Sequence, residues 1–181
     1  MLKGFRVWLL LVLIAVPFGY SGSAVAHEAA AKDTPLTVFL VRHSEKESGK
    51  DPALTPEGQG RAQSLSRLLS SVQLDAIYST DYRRTRDTAE PTADTQGLSV
   101  SLYSPRKLKE FAKQLKQRGG QVLVVGHSNT TPQLVSLLGG EAGQPIDEKR
   151  EFDRLYLLQT GGAGQVSTLM LRVGKQGESS L

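Results

Sequence analysis

The 181-residue sequence contains no cysteine. That absence excludes a thiol nucleophile, disulfide bonds and a lipidated amino-terminal cysteine, while leaving the compartment open. Histidine is scarce, with three residues in all. Neither His-x-His nor His-Glu-x-x-His occurs, so the usual zinc-hydrolase spacings are missing and no metal or cofactor is expected. No internal repeat is visible, and no linker is long enough to divide the chain into two domains. A strong charge of one sign is lacking too: 22 Lys and Arg face 18 Asp and Glu, a formal net charge of +4. Two of those cations, Lys3 and Arg6, sit in an amino-terminal stretch without acidic residues. The remainder is close to neutral and gives no reason to expect nucleic-acid binding.

The longest apolar run is Val7–Val16. As a helix its ten residues rise about 15 Å, against a bilayer core of about 30 Å. Lys3 and Arg6 precede it, and Pro17 and the small residues Ala24-Val25-Ala26 follow. This is the charged, apolar and A-x-A layout of a secretory signal. Residues 1–26 are therefore expected to be a signal peptide cleaved before His27, with an uncleaved anchor as the alternative. Export to the periplasm or the outside follows, without stable membrane insertion after cleavage. Residues 27–35 are expected to be a flexible lead-in, 36–173 one folded domain and 174–181 a disordered tail.

Within 36–173 strands and helices alternate. Leu36–Val41, Ala76–Tyr78, Val100–Tyr103 and Val122–Val125 read as strands. Thr55-Pro56 reads as an N-cap and first helical residue, followed by Ala62, Leu65, Leu68 and Leu69 on one face. A second helix, capped by Asp81, carries Arg83, Arg84 and Arg86 and is expected to stop near Pro91. Ser104-Pro105 caps a third with Leu108, Phe111, Ala112 and Leu115 at helical spacing, ended by Gly119-Gly120. Thr131-Pro132 opens a fourth, and Arg154–Leu158 and Val166–Arg172 form a closing hairpin around Gly161-Gly162. This alternation predicts an α/β three-layer sandwich, a mostly parallel central sheet flanked by helices.

Two of the histidines follow strands directly, in Val41-Arg42-His43-Ser44-Glu45-Lys46 and Gly126-His127-Ser128-Asn129-Thr130. Ligands of open α/β sheets bind beyond the carboxyl ends of strands, so both imidazoles are expected in one crevice. Phosphoryl transfer needs positioning and positive charge around the phosphoryl oxygens. A neutral imidazole is a competent nucleophile, and a neighbouring arginine lowers its pKa and offers a donor fork to phosphate. Each residue also has a plainer reading: His43 and His127 as polar loop residues, the arginines as a solvated helix face. Gly126-His127-Ser128-Asn129-Thr130 approaches the G-x-S-x-G elbow of an esterase, but Thr130 replaces the last glycine and no histidine follows Ser128.

The stretches Leu40–Lys46, Ile77–Ala89 (Ile-Tyr-Ser-Thr-Asp-Tyr-Arg-Arg-Thr-Arg-Asp-Thr-Ala) and Val125–Thr130 resemble, in order, three signature segments of the histidine phosphatase superfamily, the phosphoglycerate-mutase-like group. Leu54–Ala62 resembles the segment between the first two. The resemblance implies a phosphatase of phosphoric monoesters in which His43 is transiently phosphorylated, with Arg42, Arg84 and His127 holding the phosphoryl oxygens. Ser128 and Asn129 are added as substrate-binding residues because they precede a helix. The chain is similar to the short branch, which includes phosphohistidine and lipopolysaccharide heptose phosphatases. The larger members' acidic residue between the arginine motif and the second histidine has no clear counterpart among Glu90, Asp94 and Glu110. Glu45 is the fallback acid. The expected substrate is a small phosphorylated compound, an envelope sugar phosphate or a scavenged phosphate ester. The alternative is a non-catalytic exported module that binds a phosphorylated ligand.

Overall fold

The computed structural model describes residues 35–161 and 164–174. The expected signal peptide, the lead-in up to residue 34 and the tail from residue 175 lie outside the described residues. Among the described residues no helix is long and apolar enough to cross a membrane.

Among the described residues six strands form one sheet: β1 Leu36–Arg42, β2 Ala76–Ser79, β3 Val100–Leu102, β4 Gly120–Gly126, β5 Arg154–Thr160 and β6 Val166–Arg172. The order is β3-β2-β4-β1-β5-β6. The first four strands in that order run parallel, and β5 and β6 return antiparallel as the expected hairpin. Four helices, α1 Pro56–Leu69, α2 Arg83–Gln96, α3 Leu108–Arg118 and α4 Thr130–Leu138, cover both faces of this sheet. Alternation along β1 sends Val38 and Leu40 to one face, with Leu115, Leu134 and Leu138 of α3 and α4. Phe39 and Val41 face the other, with Leu65 and Leu69 of α1 and Ala89 and Ala93 of α2. Each fully buried Leu or Val removes apolar surface from water, worth about 1.5–3 kcal/mol.

The start of α1 follows its sequence signals. The Thr55 hydroxyl accepts from Gly58 N at 3.1 Å, and Pro56 occupies the first turn. Leu68 departs from the expected apolar face and is 49% exposed. It lies one residue, about 100° of helical rotation, from Leu69.

Helix α2 differs from expectation at both ends. Tyr82, not Asp81, is its N-cap residue and supplies no side-chain cap; Asp81 pairs instead with Arg86. The helix runs through Pro91 to Gln96 and ends on Gly97, whose φ of 65° suits a left-handed cap. Proline removes one helical hydrogen bond. Here the turn around it is fixed by tertiary packing: Ala89, Thr92 and Ala93 are buried, and the Ser66 hydroxyl of α1 donates to Pro91 O at 2.8 Å. Ser104 forms a turn ahead of α3 rather than its cap, accepting from Lys107 N at 3.1 Å, and the helix begins after Lys107.

Register places the site. Arg42 of β1 pairs with Gly126 of β4, and Ser79 of β2 pairs with Val125. His43, Thr80 and His127 therefore leave three neighbouring parallel strands at the same edge of the sheet.

Candidate active site

The backbone locks the first histidine to the second strand: His43 N donates to Gly126 O at 3.0 Å. The His43 ring is 3% exposed, and its Nδ1 lies 2.8 Å from Ser44 O. A carbonyl only accepts, so Nδ1 carries the proton and Nε2 keeps a lone pair. Ser44 N donates in turn to the Thr88 hydroxyl of α2. Burial pushes the His43 pKa down to about 3; the Ser44 bond opposes this, and the charges of Arg42 and Arg84 add to it. The ring is thus neutral at ordinary pH, with a lone pair available for attack.

His127 stands edge-on to His43, with ring centroids 5.6 Å apart. Its Nε2 is 2.9 Å from the Thr80 hydroxyl, which meets the Thr85 hydroxyl at 3.0 Å. Arg84 Nη2 approaches Nδ1 at 3.5 Å. A guanidinium only donates, so these partners assign the proton to Nε2 and the lone pair to Nδ1. Burial, then Arg84 and Arg42, push the His127 pKa down to about 4.

Arg84 is held more loosely than Arg42. Its side chain is 16% exposed; its guanidinium lies over the Tyr82 ring at 4.5 Å, and its nearest carboxylate oxygen, on Asp51, is 3.8 Å away. Its buried Nε has no partner. Leaving a largely buried guanidinium so loosely satisfied is costly unless an anion completes the site. His43, Arg84, His127, Ser128 and Asn129 line one cavity of about 450 Å³, together with Lys46, Tyr82, Arg106, Thr130 and Glu148. The amino-terminal end of α4 opens into the same space, adding helix-end N–H groups suited to an anion.

Two expected residues lie elsewhere. Arg42, 3% exposed, does not line this cavity. Its Nη1 donates to Asp147 O and Glu151 O at 3.2 and 2.9 Å, its Nη2 donates to Glu148 O at 2.6 Å, and Phe152 stacks at 3.9 Å. Three carbonyls distant in sequence thus satisfy most of the donors expected for phosphate, leaving Nε unpartnered. Its charge still acts on both imidazoles. Glu45 is not placed to act as an acid. Arg61 takes both its oxygens, through Nε at 3.1 and 2.9 Å and Nη2 at 2.6 Å. Burial pushes the Glu45 carboxyl up, but these bonds outweigh it and hold the group below the usual carboxylate range. Gly58 fits against the same segment because a Cβ there would lie 2.1 Å from Glu45 O.

The sequence reading missed Tyr82, Thr80, Arg106 and Glu148. Thr80 and Tyr82 stand within the quoted arginine segment, next to a strand end. Glu148 lies beyond the Thr88–Gly126 interval in which an acid was sought. Among the described residues, no group of three or more His, Cys, Asp and Glu side chains is placed to hold a metal ion.

Residues 38–113 match the family model described as the histidine phosphatase superfamily, branch 1. No curated protein matches the chain in sequence. Among solved structures, the protein histidine phosphatase SixA in complex with tungstate aligns with a TM-score of 0.61 and 17% identity, covering 76% of this chain and 97% of its own. A mycobacterial glucosyl-3-phosphoglycerate phosphatase aligns with a TM-score of 0.56 and 13% identity, covering 76% and 98%. At such identities the structural likeness establishes the α/β fold.

Proposed function

Starting from a chain that matches the histidine phosphatase superfamily over residues 38–113 and has the fold of its phosphatase neighbours, we propose an exported phosphatase that hydrolyses a small phosphomonoester through a phosphohistidine on His43. The observation that carries this reading is the shared cavity: a neutral, buried imidazole faces an underpartnered Arg84, with the second imidazole 5.6 Å away.

The Nε2 lone pair of His43 attacks phosphorus while the ester P–O bond breaks and its electron pair leaves on the alcohol oxygen. Positive charge that builds on the ring is stabilised by the Nδ1–H bond to Ser44 O. Arg84 holds the equatorial oxygens, and the helix-end groups of Ser128 and Asn129 add donors. Arg42 contributes its charge. The incoming anion favours proton uptake by His127, so Nδ1–H then donates to a phosphoryl oxygen. Water next attacks phosphorus, the N–P pair returns to Nε2, and phosphate leaves with loss of one water proton.

Export is supported by the layout of residues 1–26, and it favours an envelope sugar phosphate or a scavenged ester over an intracellular phosphoprotein. A screen of the purified full chain against phosphosugars, phosphopeptides and nucleotides tests the substrate class. Rapid quench with radiolabelled substrate is expected to trap an acid-labile, base-stable phosphoenzyme that His43→Ala abolishes along with turnover. Turnover without any labelled intermediate would exclude the imidazole nucleophile. Ligand affinity with no turnover of any ester would favour a binding module.

A further inference from the structure

Hydrolysis of an alkyl phosphate leaves a poor leaving group, and its oxygen needs a proton as the P–O bond breaks. Glu45 cannot meet that need because Arg61 holds both its oxygens. Glu90, Asp94 and Glu110 do not line the cavity, whereas one carboxylate does: Glu148.

Glu148 stands in the 147–152 segment that grips Arg42. Its own carbonyl accepts from Arg42 Nη2 at 2.6 Å, so its backbone is tied to the residue preceding the nucleophile. The segment is braced at its far end by Glu151. That carboxylate accepts from Asp147 N at 3.1 Å, from Arg154 Nη2 at 2.7 Å and from Arg172 Nη1 at 2.7 Å. Phe152 packs on the Arg42 guanidinium. Among the described residues the Glu148 carboxylate makes no hydrogen bond or close ion pair, unlike Glu45, Asp147 and Glu151 around it, and its charge acts on the Arg42 guanidinium. It is solvent-exposed and lines the cavity.

We infer that Glu148 is the proton donor to the leaving oxygen, delivered to the site by the Arg42-clamped loop. This rests on the phosphohistidine reading above. In the first step the Glu148 O–H proton passes to the ester oxygen as that oxygen takes the P–O electron pair. In the second, the carboxylate takes the proton from the attacking water as the N–P bond breaks, which restores both groups.

The test compares leaving groups in the purified full chain and in Glu148→Gln, with thermal midpoints confirming that the variant folds. For glycerol phosphate and glucose 6-phosphate, kcat/KM is expected to fall about 10²–10³-fold. For 4-nitrophenyl phosphate, whose phenolate leaves without help, kcat/KM is expected to stay within about threefold, because it reports only steps up to P–O cleavage. Equal losses on both classes overturn the assignment, as does an unchanged rate on alkyl esters. A wild type that hydrolyses the nitrophenyl ester and no alkyl ester overturns it as well. In each of these cases a trapped phosphoenzyme that His43→Ala abolishes leaves the underlying reading standing, whereas its absence removes that reading separately.

Discussion

Replacing Glu45 separates a structural carboxylate from a catalytic one. Its side chain is 13% exposed and that of Arg61 is 7% exposed, and three N···O contacts join them. Glu45→Ala leaves Arg61 with the Val173 O acceptor at 2.5 Å, and only the charges of Asp153 and Glu57 to offset its own in a nearly dry place. Breaking such a pair from one side costs about 3–5 kcal/mol. The residual exposure of Glu45 lets water reach the vacated site, which favours the lower end. For a domain of this size each kcal/mol moves Tm by roughly 3 °C, so the expected fall is about 10 °C. Thermal and urea unfolding with an unchanged m-value measure it. Activity per folded molecule is expected to stay within about threefold, because Glu45 touches neither histidine nor the cavity. A general acid would behave oppositely, losing about 10²–10⁴ in rate. The double variant Glu45→Leu with Arg61→Met removes both charges and is expected to be more stable than either single variant. A Tm shift under 3 °C for Glu45→Ala, or a hundredfold loss of turnover with the fold intact, would refute this account of the pair.

The imidazoles make a second prediction, about acid. Folded pKa values of about 3 and 4 lie below the ordinary 6.5. The unfolded chain therefore binds protons first as pH falls, and the stability gained by keeping the rings neutral is complete above pH 6.5 and is lost progressively toward pH 3. At about 1.4 kcal/mol per unit, the His43 shift from 6.5 to about 3 accounts for on the order of 5 kcal/mol as an upper figure. Ring NMR signals of His43 and His127 that titrate with midpoints near 6.5 would contradict this. Third, Thr80→Val deprives His127 Nε2–H of its acceptor. An unsatisfied buried donor costs about 1–3 kcal/mol, so kcat/KM is expected to fall about tenfold or more as the ring reorients. A rate within twofold of wild type would show that Thr80 does not orient the ring.

What was legible in the sequence was short-range. Strand β1 announces itself as an apolar run and α1 through Thr55-Pro56, and each signal is complete within a few residues. The placing of His43 and His127 at one edge followed from the same kind of information, since two parallel strands in register carry their trailing residues to the same level. The errors arose where a local rule met a distant partner. Pro91 is an ordinary helix terminator on its own, yet Ser66 and the buried alanines of α2 hold the helix through it. Asp81 is a good capping type, but Arg86, five residues on, claims its carboxylate.

Arg42 and Glu45 stand outside the cavity for a single physical reason. Each is charged and largely buried, and a buried charge must be compensated wherever compensation exists. Glu45 finds it 16 residues away in Arg61. Arg42 finds it 105 to 109 residues away, in carbonyls of a loop with no periodic signal of its own. Chemistry-bearing residue types are visible in a sequence, but which of them are already spoken for is decided by partners that only the fold assembles. Arg84 was left underpartnered by the same process. For this reason the guanidinium that the protein satisfies least fully of the two, rather than the one nearest His43 in sequence, is the one proposed above to receive an anion.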